Sequence, residues 1–353
     1  MDHMVNSLEI AGRRIGPGSP CFVIAEAGVN HNGRLDLARR LINKAKQAGA
    51  DAVKFQTFKA EQLVTLSAPK AEYQRHNTGS VESQFEMLRR LELSPKAHRT
   101  ALALCGRSGI LFLSSPFDEQ SADFLDSLGV AAFKIPSGEI TNLPFLVHVA
   151  YMGKPMIIST GMATLGEVET AVNAVWKAGN HNVILLHCVS NYPADPADIN
   201  LRAMQTLETA FGIPVGFSDH TPGVEVSLAA VALGACVVEK HFTLDRSLPG
   251  PDHQSSLEPD ELTSLIHGIR LVEAALGHGR KEPAASEANT ASAARKSLVA
   301  ACDIPAGTPL TQDKVAVRRP GTGLPPALSS FVIGRTSRVF IPAGTILTLE
   351  MLA

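Results

Sequence analysis

The sequence predicts an α/β protein: a (β/α)8 barrel followed by a small β-rich domain. Between about residues 20 and 280, eight short apolar runs rich in β-branched residues alternate with helical stretches. Such alternation requires parallel strands joined by helical crossovers. Eight units in about 260 residues match the size of a (β/α)8 barrel. No G-x-G-x-x-G motif follows the first strand, which disfavours the alternative of a doubly wound open sheet.

The strands and helices follow one another in a regular order. In chain order the candidate strands are Cys21–Ala27, Ala52–Thr57, Leu111–Ser115, Ala131–Ile135, Pro155–Thr160, Val183–Cys188, Pro214–Ser218 and Cys236–His241. Helical patterns between them include Leu35–Ala48, Ser94–Arg107, Leu165–Ala178 and Val224–Leu233. Glycines end several helices, as expected for left-handed C-caps, at Gly49, Gly109, Gly129, Gly179 and Gly234.

Two segments depart from the alternation. Leu63–Glu92 is an insertion after the second strand, predicted to be a loop or excursion over the barrel mouth; a solvated surface excursion is the alternative. Residues 282–294 are small, polar and without pattern, which is typical of a linker. The predicted domains are therefore a barrel over 1–281, a linker over 282–294 and a β-rich domain over 295–353, in which the string I-P-A-G-T occurs twice.

Composition excludes several classes of protein. Of 353 residues, 45% are hydrophobic and 19% charged, which is enough apolar material for a large core and excludes a disordered chain. The net charge of −2 provides no basic field, so we expect neither nucleic acid nor membrane as partner. No apolar run is long enough for a membrane span, and no signal-peptide core precedes the first strand. Met1–Met4 is interpreted as a cloning remnant before a start at Met4. Five scattered cysteines indicate reduced thiols and a cytoplasmic location.

Polar residues at the strand ends indicate where chemistry occurs, because (β/α)8 enzymes carry their active sites at the C-terminal ends of the strands. Lys54 and Gln56 end the second strand and Lys134 ends the fourth. Two lysines among Ser and Gly positions predict an anion site for phosphate, or for phosphate plus carboxylate. Each lysine alone could instead form a structural ion pair. Glu26, inside an apolar strand end, either contacts substrate or forms such a pair.

Two histidines predict a metal site. His220 follows the seventh strand and His241 ends the eighth, and these strands are neighbours in a barrel. Two imidazoles with open positions suit Mn²⁺ or another divalent ion completed by water and substrate. His187 is a third candidate, and Glu239 lies on the same strand face as His241. A histidine satisfied within the core is the alternative for either residue alone.

These motifs resemble those of the sialic acid synthase (nonulosonate synthase) family. The resemblance lies in Ala25–Gly33, Val53–Gln56, Phe133–Glu139, Gly216–Thr221, Val238–Asp245 and Gly250–His253. Arg318–Gly323 is similar to the antifreeze-like (SAF, β-clip) domain of that family. The motifs occur in order and the resemblance covers about residue 8 to the end.

The resemblance implies condensation of phosphoenolpyruvate with an N-acylated hexosamine and water, giving a nine-carbon 2-keto acid and phosphate by C–O cleavage. The expected enzyme is an N-acetylneuraminate synthase using N-acetylmannosamine, a transferase of sialic acid biosynthesis. Alternatives within the family are legionaminate, pseudaminate and spore-coat polysaccharide synthases, and the first-strand motif favours the N-acetylneuraminate and legionaminate branches over the pseudaminate one. The implied cofactor is Mn²⁺, with Mg²⁺ or Co²⁺ as alternatives.

The resemblance also assigns roles to individual residues. Phosphoenolpyruvate would be held by Lys54, Lys134, Ser137, Ser159, Ser218 and His220, the metal by His220 and His241, and the amino sugar by Glu26, Gln56, Tyr192 and Asp252. Glu139 would handle protons. Arg319 would close the partner's barrel in a domain-swapped homodimer. The family often has an Asn two residues before the Tyr-Pro pair where this chain has Ser190, so either Ser190 or Asn191 takes that phosphate contact.

Two other functions remain open from the sequence. A metal-dependent barrel aldolase, or a synthase of seven- or eight-carbon keto acids, shares the barrel and the anion site, but the appended SAF-like domain argues against both. A non-catalytic carbohydrate- or ice-binding protein built around the C-terminal domain would leave the lysines, Glu26 and both histidines at the strand ends unexplained.

Overall fold

The computed structural model describes residues 7–79 and 81–353. The interpretation of Met1–Met4 as a cloning remnant concerns residues outside this range. The chain divides into two compact units, Met1–Gly277 and His278–Ala353. Each unit has a hydrophobic core of its own.

Eight parallel strands of the first unit form one curled sheet. The strands of this unit are β1 (Leu8–Ile10), β2 (Arg13–Ile15), β3 (Phe22–Gly28), β4 (Ala52–Thr57), β5 (Leu111–Pro116), β6 (Phe133–Ile135), β7 (Met156–Ser159), β8 (Val183–Cys188), β9 (Val215–Asp219) and β10 (Val237–His241), of which β3 to β10 form the eight-stranded sheet. The sheet has the order β5-β4-β3-β10-β9-β8-β7-β6. Its end strands β5 and β6 also contact each other. The predicted barrel is confirmed, and its predicted elements end within two residues of the observed ones.

Helices follow each barrel strand. They are α1 (Leu35–Ala48), α2 (Ala60–Leu63), α3 (Glu72–Thr78), α4 (Gln84–Leu91), α5 (Pro95–Ser108), α6 (Glu119–Ser127), α7 (Leu143–Ala150), α8 (Leu165–Lys177), α9 (Ala203–Phe211), α10 (Glu225–Ala232) and α11 (Pro259–Leu276). Helix α1 shows why they form: Leu37, Leu41 and Ala45 recur on one buried face, and Gly49 ends the helix at φ 90°. The helices thus cover the outer face of the sheet with apolar side chains.

The barrel interior is plugged from one end by a hairpin that the sequence did not predict. Strands β1 and β2 pair antiparallel, with Ile10 opposite Arg13. Ile10 and Ile15 are buried in one cluster with interior residues such as Ile24 and Ile184. The strands have only three residues each, too short for a recognisable alternation. The opposite end, where the strands terminate, is left for polar side chains.

The insertion after β4, called the excursion here and comprising residues 63–92, is largely helical. Helices α3 and α4 belong to it, and α2 ends at its first residue. Its apolar side chains form a satellite cluster with Val29, Phe58 and Phe117, to which Met87 and Leu91 contribute. Because Val29 follows β3 and Phe117 follows β5, the excursion packs over the strand ends, which matches the predicted excursion over the barrel mouth.

The second unit is small and β-rich. It contains α12 (Ala288–Ala294), β11 (Ser297–Ala300), β12 (Val315–Arg318) and α13 (Ser329–Val332), and β11 pairs antiparallel with β12. The two I-P-A-G-T copies meet directly, since Ile304 and Ile341 exchange reciprocal backbone hydrogen bonds of 2.8 Å. The segment predicted as a linker, 282–294, is partly helical: its alanines favour the helix that forms at 288–294.

Within the described residues, we find no helix with both the length and the apolar character needed to cross a membrane.

Candidate active site

Side chains from all around the barrel mouth line one cavity of about 370 Å³. Its floor carries charged and hydroxyl groups from the strand ends, and the excursion contributes part of its wall. Ten predicted site residues line it: Lys54, Gln56, Lys134, Ser137, Ser159, Tyr192, Ser218, His220, His241 and Asp252. Most of the predicted site residues therefore lie together at the C-terminal ends of the strands, as expected for a (β/α)8 enzyme.

A buried charge cluster forms the floor. Glu239 lies between two lysines, with Oε2 3.1 Å from Lys54 Nζ and Oε1 3.3 Å from Lys134 Nζ. Lys54 also lies 3.4 Å from Glu26 Oε2. Strand register explains part of this arrangement, because Lys54 is paired with Glu26 across β3 and β4. Two ammonium and two carboxylate groups thus lie together in the protein interior, all four residues being at most 4% exposed.

Burial and pairing shift the ionisation of this cluster in opposite directions. Burial lowers the pKa of Lys134 to about 8 and raises the pKa of Glu26 to about 7. Burial alone would also raise the pKa of Glu239, but the neighbouring Lys134 and Lys54 hold that pKa well below its usual range. For Lys54 the two carboxylates outweigh burial and raise the pKa. Lys54 and Glu239 are therefore the firmly charged members.

Hydroxyl groups surround the lysines. Lys134 Nζ donates to Ser159 Oγ at 2.7 Å, and Ser218 Oγ donates to Glu239 at 3.0 Å. The Gly161 backbone N–H donates to Ser137 Oγ at 3.0 Å. A Cβ at Gly161 would overlap Ser190 Oγ and lie 2.7 Å from Ser137 Oγ, so both hydroxyls would have to move to admit a side chain there. Lysines with several hydroxyl donors can bind a phosphate or carboxylate group.

The two predicted metal-binding histidines are neighbours, with ring centroids 5.4 Å apart. His220 Nδ1 lies 2.7 Å from the Val189 carbonyl oxygen. A carbonyl only accepts, so Nδ1 carries the proton and the lone pair of the neutral ring is on Nε2. His241 Nδ1 is buried and has no hydrogen-bond partner among the described residues. Burial also lowers the pKa of His241 well below its usual value, which favours the neutral imidazole.

These two imidazoles fit one side of a divalent-metal site. One ring has its nitrogen lone pair fixed by a hydrogen bond on the opposite nitrogen, as is usual for metal-binding histidines, and the other has an orphaned nitrogen. Across residues 7–79 and 81–353, no group of three or more His, Cys, Asp and Glu side chains is arranged to hold a metal ion. Further ligands would have to come from water and substrate.

Aromatic rings connect the histidines to the cavity wall. The Tyr192 ring lies 4.1 Å from His220 and 4.9 Å from Tyr73, measured between centroids. Tyr73 belongs to α3, whose Asn77 Nδ2 donates to the Pro251 carbonyl at 2.7 Å. That bond ties the excursion to the loop bearing Asp252, where burial raises the pKa of the carboxyl to about 6.

Several predicted residues lie elsewhere. Glu26 is buried behind the lining; it pairs with Lys54 and accepts a 3.4 Å bond from Gln56, so the ion-pair alternative describes its contacts. Glu139 is half-buried, accepts from Asn142 Nδ2 at 2.7 Å and does not line the cavity. Asn191 is exposed outside the lining, whereas Ser190 is part of it. Arg319 is an exposed residue of the second unit.

The third predicted metal-ligand candidate, His187, also lies outside the cavity. His187 Nε2 bonds the Ile199 carbonyl at 2.6 Å, and its ring stacks on Phe217, so it does not line the cavity. Conversely, the sequence interpretation left Ser115 and the excursion residues Gln74 and Gln84 out of the site, although all three line it. Ser115 ends the third predicted strand, so a search of the C-terminal strand ends for polar residues could have identified it.

Comparison with known proteins shows the family to which the chain belongs. The NeuB family matches residues 41–281, about two thirds of the chain, and the SAF domain matches residues 295–353. The chain belongs to the NeuB family. The predicted resemblance to the sialic acid synthase family with a SAF domain is thereby confirmed.

Three related proteins are similar over most of their length. An N,N'-diacetyllegionaminic acid synthase of Legionella pneumophila is 49% identical over 95% of both chains. Its counterpart in Campylobacter jejuni is 51% identical over 86% of this chain and 91% of the relative. The structure of an N-acetylneuraminic acid synthetase from Leptospira borgpetersenii is 38% identical, with a TM-score of 0.72 over 82% of this chain and 96% of that one. As a NeuB-family member, this chain is a nonulosonate synthase and therefore a transferase.

Proposed function

We propose that the protein condenses phosphoenolpyruvate with 2,4-diacetamido-2,4,6-trideoxymannose and water to give N,N'-diacetyllegionaminic acid and phosphate. The observation that carries the reaction is the pair of buried lysines, Lys54 and Lys134, facing the same cavity as the imidazoles of His220 and His241. The sugar is supported by the 49% and 51% identity to two diacetyllegionaminic acid synthases, against 38% to the N-acetylneuraminic acid synthetase. N-acetylneuraminate synthase, the first expectation from the sequence, has support only at the level of the family.

The anionic substrate binds at the floor. Lys54 and Lys134 donate charge-assisted hydrogen bonds to the phosphate and carboxylate of phosphoenolpyruvate, and the hydroxyls of Ser137, Ser159 and Ser190 donate hydrogen bonds to their oxygens. Ser190, rather than Asn191, takes the phosphate contact in this proposal, because it lines the cavity. Glu239 holds both ammonium groups in place, at 3.1 and 3.3 Å.

Carbon–carbon bond formation follows from this placement. The electron pair of the enol double bond forms a bond from C3 of phosphoenolpyruvate to the sugar aldehyde carbon; the aldehyde C=O pair moves to its oxygen, and a cation is left at C2. Water adds to C2 and gives one proton to the new alkoxide oxygen. The resulting C2 hydroxyl then loses its proton as the C2–O bond to phosphate breaks, giving the 2-keto acid and protonated phosphate. The site must therefore stabilise a cation next to bound anions, and the carboxylate of Glu239 on the floor can do so electrostatically.

The implied cofactor is Mn²⁺, with Mg²⁺ or Co²⁺ as alternatives, held by His220 and His241. When bound, a divalent cation supplies Lewis-acid polarisation of the sugar aldehyde. The protein's own part is to keep the imidazole of His241 neutral and to orient both rings: Val189 accepts a hydrogen bond from His220 Nδ1, and Tyr192 packs against both rings.

Completion of the site by a second subunit is part of the proposal. By the family resemblance, Arg319 reaches the sugar in the partner's barrel of a domain-swapped homodimer. Glu26 and Glu139, first expected to contact the sugar and to move protons, are assigned supporting roles here, because Glu26 lies behind the lining and Glu139 is bonded to Asn142.

The test is phosphate release from phosphoenolpyruvate in the presence of Mn²⁺, with each of two acceptors. Faster turnover with 2,4-diacetamido-2,4,6-trideoxymannose than with N-acetylmannosamine supports the proposal. The reverse preference would make the protein an N-acetylneuraminate synthase, and no release with either would reject the reaction.

A further inference from the structure

The cavity wall differs chemically from the floor. The excursion contributes eight lining residues, and none of them is charged: Leu63, Val64, Tyr73, Gln74, Gln84, Met87, Leu88 and Leu91. Among the described lining residues the only lysines are the two on the floor, and no arginine is present. A hexosamine phosphorylated at its far end would therefore place a dianion beside apolar side chains, and the excursion supplies no lysine or arginine to the lining that could pair it.

The apolar part of the wall is a packed surface rather than a set of isolated side chains. Met87 and Leu91 are buried, and Leu63, Leu88 and Phe117 pack against them in the satellite cluster. A hydroxymethyl group facing this surface would lose its hydrogen bonds to water without replacement, whereas a methyl group would gain burial. The surface thus favours a sugar that lacks a terminal hydroxyl.

Two amide side chains interrupt this apolar surface. Gln74 is held by its own helix, since its Oε1 accepts from Ala71 N at 3.0 Å and its Nε2 donates to Tyr73 Oη at 3.3 Å. Gln84 donates one long bond of 3.4 Å to Gln74 Oε1, its only hydrogen bond among the described side chains. A glutamine amide offers two donors and an acceptor with two lone pairs. Gln84 therefore has donor and acceptor capacity left for a ligand amide.

We infer that the excursion wall selects the acceptor sugar: Gln84 bonds the acetamido group at C4, and the surface around Leu88 receives the C6 methyl group. This inference rests on the proposed function and adds the residues that would distinguish the doubly acetylated deoxy sugar from N-acetylmannosamine. The two sugars share the acetamido group at C2 and differ only at C4 and C6, the positions assigned to the wall.

Helix α4 tolerates the variants that test this assignment. Gln84 is its first residue, and the start of the helix is fixed by the capping box of Ser83 and Glu86, with bonds of 3.2 and 2.8 Å. Gln84→Leu removes the free amide, and Leu88→Gln adds a polar group of similar size to the wall. Gln62→Leu, at an exposed position of α2 outside the lining, is the matched control.

The experiment measures kcat/KM for the two acceptors at saturating phosphoenolpyruvate, with N-acetylmannosamine 6-phosphate as a third acceptor. In the wild-type protein we expect preference for the diacetamido sugar and no turnover of the phosphorylated one. Gln84→Leu and Leu88→Gln each lower the ratio of diacetamido sugar to N-acetylmannosamine about tenfold, and leave KM for phosphoenolpyruvate unchanged. Gln62→Leu leaves the ratio unchanged.

The outcomes separate the two claims. A wild-type preference for the diacetamido sugar with unchanged ratios in both variants would overturn the wall assignment and keep the proposed function. Wild-type turnover that favours N-acetylmannosamine or its 6-phosphate would overturn the assignment while keeping the reaction class. A lack of phosphate release with all three acceptors would overturn both. The ratio is read within one protein preparation, so a loss of folded protein does not change it.

Discussion

Substitutions in the charge cluster on the cavity floor should affect substrate binding and protein stability separately. Lys134→Met removes one of two ammonium groups and leaves Glu26 and Glu239 with Lys54 as their shared partner, at 3.4 and 3.1 Å. Removing one partner from a buried ion pair costs about 3–5 kcal/mol, because the other charge is left uncompensated. We expect the free energy of unfolding of Lys134→Met to fall by about that amount.

The double variant Lys134→Met/Glu239→Gln restores the balance of charge. Lys54 and Glu26 remain as one pair, and the amide introduced by Glu239→Gln still offers an oxygen to the hydroxyl of Ser218. We expect most of the lost stability to return, to within about 1–2 kcal/mol of the wild type. Turnover does not return, because both a charge-assisted bond to phosphoenolpyruvate and the carboxylate that stabilises the C2 cation are missing; loss of the bond alone, as in Lys134→Met, lowers kcat/KM about 10- to 150-fold.

The assays are urea unfolding followed by circular dichroism, and phosphate release with phosphoenolpyruvate varied. Lys96→Met, an exposed lysine on α5, is the control and should change neither quantity measurably. A double variant as unstable as Lys134→Met would refute the compensation argument. A double variant with wild-type kcat/KM would refute the assignment of Lys134 to the substrate anion.

Three further predictions address the rest of the site. His241→Ala should lose most of the manganese, about one ion per chain, that the wild-type protein retains after dialysis, as measured by elemental analysis. His187→Gln is the control and should retain it. Equal retention in the two variants would exclude His241 as a ligand. Arg319→Ala and His241→Ala should each be inactive, but an equal mixture refolded together should recover about a quarter of wild-type turnover if sites are shared between subunits; no recovery would contradict a shared site. Gly161→Ala should raise KM for phosphoenolpyruvate, because the new methyl group displaces the hydroxyls of the floor. Gly166→Ala is the control and should leave KM unchanged, since a Cβ at Gly166 has no neighbouring atom within 4 Å. Equal KM values for the two variants would contradict the close packing at Gly161.

The barrel could be predicted from the sequence because its signals are local and repeated. Each buried strand is an apolar run, and each helix has a periodic face with an end signal, as Leu35–Ala48 followed by Gly49 shows. The hairpin of β1 and β2 could not be predicted in the same way, since three-residue strands carry almost no pattern and depend on burial of Ile10 and Ile15 in the barrel interior.

The site was predictable to the extent that strand geometry controls side-chain direction. Lys54, Lys134, Ser159 and Ser218 lie on strands, where alternate residues face inward, and all four line the cavity. For residues after the strands, the direction of the side chain depends on the geometry of the turn instead. Glu139 ends a short 3-10 turn and bonds Asn142, so its direction depends on contacts that no sequence period reports.

The wall residues were missed for a related reason. Gln74 and Gln84 lie in short helices of the excursion, far in sequence from the strand ends, and a glutamine in a polar segment carries no signal of its own. Only the packing of the excursion over Val29 and Phe117 brings them to the cavity.

The most direct test of the proposed reaction uses phosphoenolpyruvate carrying ¹⁸O in its bridging oxygen, together with Mn²⁺ and 2,4-diacetamido-2,4,6-trideoxymannose. The proposed reaction predicts that the label leaves entirely with phosphate, and that the product has the summed mass of both substrates plus water minus phosphoric acid. Label retained in the sugar acid, or phosphate released without a product of that mass, would contradict condensation by C–O cleavage at this site.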